Sequence, residues 1–181
     1  MTVSGLLVLF LMYVLVPLWL AAGLADWLCH RATGIEQTSG ARESALHLAQ
    51  FSLVGVPLLA VLFLQVNAAI LLLMLAGLVL HQAVAIWDVH YADATRRVPP
   101  AEQHLHGILE ATPAVATAVV IMLHWQEFRG LLGRAPASFA LEPKHEPLPG
   151  WYLASVLAAT ALAGALPYAE EFVRCLRRRP R

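Results

Sequence analysis

Apolar positions along the chain fall into five long blocks separated by short polar stretches. The blocks cover about residues 3–28, 43–65, 68–91, 101–124 and 151–168. Each approaches or exceeds the ~20 residues a helix needs to cross a hydrocarbon core of roughly 30 Å. Lipid leaves no partner for free backbone groups, so each block is expected as a helix. The pattern predicts a single-domain, all-α integral membrane protein of five transmembrane helices. The first block begins at once, at Val3, without a basic segment before it. Ala21, Ala22 and Ala25 imitate a signal-peptidase site, but the missing positive charge favours a permanent span.

The connections set relative direction. Gln65-Val66-Asn67 is the only polar break between the second and third spans, which predicts a tight antiparallel hairpin. Pro99-Pro100 suits the first turn of the fourth helix, and Pro113 is a candidate kink. Residues 125–150 form a loop bearing proline and glycine, expected outside the cytoplasm. Residues 170–181 form a basic tail. Arginine and lysine are enriched in cytoplasmic segments near span ends, so the tail is expected inside and the N-terminus outside, in a bacterial-type inner membrane. Arg31/Arg42 and Arg96/Arg97 then also lie inside.

Composition agrees with a membrane chain: 59% of the 181 residues are hydrophobic and 13% charged. Twelve basic residues balance twelve acidic ones, with no basic stripe, so no nucleic-acid partner is expected. Cys29 and Cys175 form no motif and no disulfide framework.

The polar residues within the spans carry the candidate chemistry. Asp26/His30, Glu43/His47 and Glu102/His106 are each a carboxylate followed by a histidine four residues on. Residues four apart share a helix face, with about 5–6 Å between Cβ atoms. His81 and Asp88 are two turns apart on one face of the third span, about 10 Å along the axis. Gln50 extends the face of Glu43/His47, and Glu110 that of Glu102/His106. The topology brings all of them to one membrane side, where four helices bundle around a polar site and the fifth supports them. Ionisable residues at membrane depth are costly and usually functional. Bundles that hold two metal ions use carboxylates and imidazoles on facing helices. The soluble form spaces Glu and His by three residues, where this chain uses four, so the likeness is one of architecture.

The donor set is nitrogen and oxygen without thiolate. It suits two iron ions, with manganese or zinc as alternatives, and disfavours an iron–sulfur cluster. Asp26, His30, Glu43, His47, His81, Asp88, Glu102, His106 and Glu110 are the candidate metal ligands. Gln50 and Tyr91 are candidate supporting groups, and Arg31, Arg42, Arg96 and Arg97 candidates to hold a lipid head group. His90 and His104 point away from these faces and are left out. The bland alternative is a set of i,i+4 ion pairs at wet helix ends.

A di-iron oxygenase, hydroxylase or desaturase acting on a lipid or other apolar substrate, with an electron donor, is the preferred function. A zinc hydrolase of lipid head groups is the runner-up. A haem subunit fits poorly beside so many acids, and a carrier would need polar groups through the outer half. The fifth span shows no ionisable interior residue. Its small residues Ala154, Ala158, Ala159, Ala163 and Gly164 suggest close packing, including a contact between copies of the chain.

Overall fold

The computed structural model describes residues 1–178; Arg179, Pro180 and Arg181 of the expected basic tail lie outside the described residues. Among the described residues, five helices are long and apolar enough to cross a membrane. They are α1 (Val3–Thr33), α2 (Gly40–Phe63), α3 (Ala68–Thr95), α4 (Pro100–Leu123) and α6 (Gly150–Arg177). A short helix, α5 (Trp125–Leu131), follows α4. The chain is a multi-pass, all-α membrane bundle. Its outer face carries exposed apolar side chains, among them Val79, Leu80 and Leu162, as a surface bathed in lipid requires.

Local chemistry sets the helix ends. Gly34, at φ +65°, ends α1 in the left-handed conformation, and its N–H donates to the His30 carbonyl. Asn67 caps α3 by accepting from the N–H groups of Ala69 and Ile70. Pro99 and Pro100 open α4, where a missing N–H costs nothing.

Two helices contain a widened π-turn, Leu11–Leu15 in α1 and Ala161–Ala165 in α6. Each is followed closely by a proline, Pro17 or Pro167. A proline ring clashes with the carbonyl four residues earlier. Here those carbonyls belong to Tyr13 and Ala163, inside the widened turns, so the turn opens to make room.

Packing arranges the long helices in a closed ring, in the order α1, α4, α3, α2, α6 and back to α1. The tightest seam joins α2 and α3. A Cβ added at Gly77 would lie 2.7 Å from the Leu53 carbonyl oxygen, so only glycine permits this approach. The sequence places α6 as a support, and it does close the ring between α1 and α2. It also extends beyond residue 168 to Arg177, and that last part delivers a fully buried acid, Glu171, to the ring's interior.

At the end opposite Glu171, the segment after α5 is strapped across the α2–α3 hairpin. Gln65 N–H donates to the Glu142 carbonyl, Lys144 N–H to that of Phe63, and the Asn67 amide to that of Ala140.

Candidate metal centre

Four helices each contribute from the same end of the ring. Helix α1 brings Asp26 and His30, α2 brings Glu43 and His47, α3 brings Asp88, and α4 brings Glu102 and His106. His30, Glu43 and Glu102 have no solvent exposure; Asp26, His47 and Asp88 have 5% or less. Fourfold spacing puts each acid and histidine on one inward face, and the ring brings the faces together.

The order of helices explains the role of Glu171. Helix α6 lies between α1 and α2, so its carboxylate reaches one histidine of each. His30 Nδ1 is 2.9 Å from one oxygen and His47 Nδ1 is 2.8 Å from the other. A carboxylate only accepts, so both Nδ1 atoms carry the donated proton. The two rings stack with centroids 4.3 Å apart and nearly parallel planes. Their Nε2 atoms therefore turn together toward the remaining acids.

The geometry on the Nε2 side is not that of hydrogen bonding. His30 Nε2 lies 3.5 Å from Asp26 and 3.4 Å from Glu102. His47 Nε2 lies 3.3 Å from Asp88 and 3.7 Å from Glu43. His106 Nε2 lies 3.2 Å from Asp26 Oδ1. Yet His30 Nε2, His47 Nε2, Asp26 Oδ1 and Asp88 Oδ1 are all buried without a hydrogen-bond partner. Buried polar atoms left unpaired are expensive, and a converging set of them could hold a cation. An ion about 2.1 Å from its ligands holds neighbouring donors roughly 3.0–3.4 Å apart, close to the spacings seen. The potential ligand atoms of Asp26, His30, Glu102 and His106 all lie within 4.8 Å of one another, as do those of His30, Glu43 and His47.

Charge points the same way. Five buried carboxylates, Asp26, Glu43, Asp88, Glu102 and Glu171, surround one buried cation, Arg96. The formal excess is four negative charges, which two divalent ions would balance. Protonating His30, His47 and His106 would leave one charge over and would still leave their Nε2–H groups misaligned with their acceptors.

Arg96 follows α3 and turns inward over the cluster. Its Nε lies 3.1 Å from both Glu43 oxygens, and its Nη1 lies 3.1 Å from Glu102; Nη2 also reaches both acids. Burial opposes its charge, but the two carboxylates overrule burial and hold the guanidinium protonated. It clamps the first turns of α2 and α4 together. Each carboxylate keeps spare lone pairs for a metal.

The other expected residues are distributed as follows. The Gln50 amide donates to Asp88 at 3.0 Å. His81 is buried one level deeper with an unpaired Nδ1, and with Glu110 it lines a cavity of about 40 Å³ beside Asp26, His47, Asp88 and His106. That volume admits small molecules, since one water needs roughly 10–15 Å³ by this measure. Tyr91 lies away from the cluster, donating to the Ser39 carbonyl and carrying the Arg42 guanidinium over its ring. Arg31 is exposed and pairs with Glu170, and Arg97 is exposed. His90 and His104 are exposed, outside the cluster.

Glu171 was not legible as a site residue, because residues 170–181 read as a basic tail, and Tyr168 was not, because it ends a span without ionisable residues. A usable signal was present: Tyr168, Glu171 and Cys175 recur at helical spacing, and all three are buried. Tyr168 lines the small cavity and donates to the Gly23 carbonyl at 3.2 Å. No protein-family model, curated protein or solved structure matches the chain.

Proposed function

We propose that the protein is a membrane-embedded di-metal oxidoreductase, with two iron ions as the resident metals, acting on a lipid or other apolar substrate. One observation carries the metal reading. Glu171 accepts from Nδ1 of both His30 and His47, which turns each Nε2 toward buried carboxylates while leaving it without a hydrogen-bond partner. A cation between each Nε2 and those acids would satisfy both. An acid on the remote nitrogen of a ligating histidine is also how metal sites orient and strengthen that ligand.

The donor set favours iron: three imidazoles and four acids shared between two ions resemble carboxylate-rich di-metal bundles. Bound irons would supply oxygen activation and electron transfer. The chain's own groups hold the ligands, close the site from water through Arg96, and leave the small cavity by His81 and Glu110 open beside it. Exposed Arg31, Arg42, Arg97, Arg177 and Arg178 gather at this end, which supports a cytoplasmic orientation for it and an external N-terminus.

The test is elemental analysis and an absorption spectrum of one purified sample. About two irons per chain with a weak ultraviolet shoulder support the proposal. Zinc alone redirects it to hydrolysis. A metal-free protein that takes up none on reconstitution refutes it.

A further inference from the structure

Beyond the candidate metal centre, the ring forms a second, partly open cavity of about 260 Å³. Its wall is almost wholly apolar, with Val8, Leu15, Leu58, Met74 and Ala116 contributed by four helices. Along α1 it runs from Val8 to Trp19, about 17 Å at 1.5 Å per residue. The π-turn at Leu11–Leu15 lies in this wall, and such turns are frequent at functional sites.

The two ends of the cavity differ. At one end stand Lys144, on the strap itself, and His124. Among the described residues Lys144 pairs with no carboxylate, whereas Glu36 and Glu170 are each engaged by an arginine. Burial depresses the proton affinity of both groups, and Lys144 lowers that of His124 further, while Glu127 nearby opposes the shift. An amine placed at the mouth of an apolar chamber without an anion is complementary to one. At the other end stands Trp19, its indole stacked on Phe51 at 5.5 Å between centroids. Trp19 also lines the small polar cavity beside the metal ligands, and among the described residues it alone belongs to both walls. Gly164 makes this arrangement possible, since a Cβ there would collide with the Phe51 ring.

We infer that this chamber binds a single-chain amphiphile with an anionic head, the head resting on Lys144 and His124 and the chain running along α1 until its tip meets Trp19. The chamber lies near the low end of the roughly 300–1,000 Å³ common for small-molecule sites, which suits one chain and not the two of a phospholipid. The inference deepens the proposed function by naming a substrate class: the part of the molecule nearest the metal ligands is the chain tip, remote from the head. The binding itself stands without any metal.

The test uses the full-length protein in phosphatidylcholine nanodiscs, titrated with dodecanoate and, separately, with dodecanol. Dodecanoate should bind saturably, one per chain. Lys144→Gln should weaken dodecanoate about tenfold while leaving dodecanol unchanged. Ala116→Trp, which fills the chamber, should abolish both without altering metal content. Non-saturable dodecanoate uptake, or binding indifferent to both substitutions, overturns the inference. The wild-type protein separates the two readings: dodecanoate bound normally by wild type that takes up no metal upholds the chamber alone, and metal bound without dodecanoate upholds the centre alone.

Discussion

The most discriminating perturbation is Glu171→Gln. The substitution keeps shape and one acceptor oxygen but replaces the other with an amide donor. His30 and His47 both donate to this group, at 2.9 and 2.8 Å, so at most one can keep its bond. Loss of such an outer partner typically lowers metal affinity 10–100-fold. With two ligands released together the upper end is expected, about 100-fold or ~2.7 kcal/mol. The metal-free protein should respond in the opposite sense. It holds five buried acids against Arg96, and removing one negative charge relieves repulsion, so its melting temperature should hold or rise. Competition against a graded series of chelators reads the affinity, and thermal unfolding of chelated protein in detergent reads the second effect. If the cluster is instead a network of imidazolium–carboxylate pairs, the same change breaks a buried pair and costs ~3–5 kcal/mol with no metal present. A destabilised metal-free variant with wild-type metal content would refute the reasoning.

Three further outcomes follow from the geometry. His47→Ala and His106→Ala should each lose most bound metal, by elemental analysis, while membrane insertion is retained; exposed His104→Ala should match wild type. Arg96→Met strands Glu43 and Glu102 without their cation and should destabilise the protein by about 3–5 kcal/mol in denaturant titrations. Arg96→Lys should recover only part of this, because a lysine cannot fork across two carboxylates. Gly77→Ala sets a methyl 2.7 Å from the Leu53 carbonyl and should cost ~1–3 kcal/mol of thermal stability by forcing α2 and α3 apart, with metal content unchanged in what remains folded.

The parts of this architecture that depend on local spacing were legible in the sequence. Five apolar blocks gave five helices, since block length against bilayer thickness is a one-dimensional property. Asp26/His30, Glu43/His47 and Glu102/His106 were visible because residues four apart share a face whatever the helix packs against. What depends on which helix neighbours which was not legible. Glu171 matters because α6 closes the ring between α1 and α2, and nothing local to residues 168–177 states that order. Arg96 is the reverse case. A basic residue in a short connection reads as an orientation signal or a contact for a lipid head group, but the juxtaposed first turns of α2 and α4 turn Arg96 inward, onto Glu43 and Glu102 instead. The pairing of Lys144 with an apolar chamber likewise needs the strap across the α2–α3 hairpin.

The way the ring closes bears on how the protein is made. Helices enter a membrane in the order of synthesis, and α6, with Glu171, comes after every other contributor to the centre. Until then His30 and His47 lack the acid that orients them, while Asp26, Glu43, Asp88 and Glu102 already sit among apolar spans. The unfinished chain is thus a crowd of acids with loosely held imidazoles, a poor trap for any particular ion. If the cluster holds metal as proposed, its ligand set is complete only once α6 has arrived, which would tie metal acquisition to the placing of Glu171 between α1 and α2.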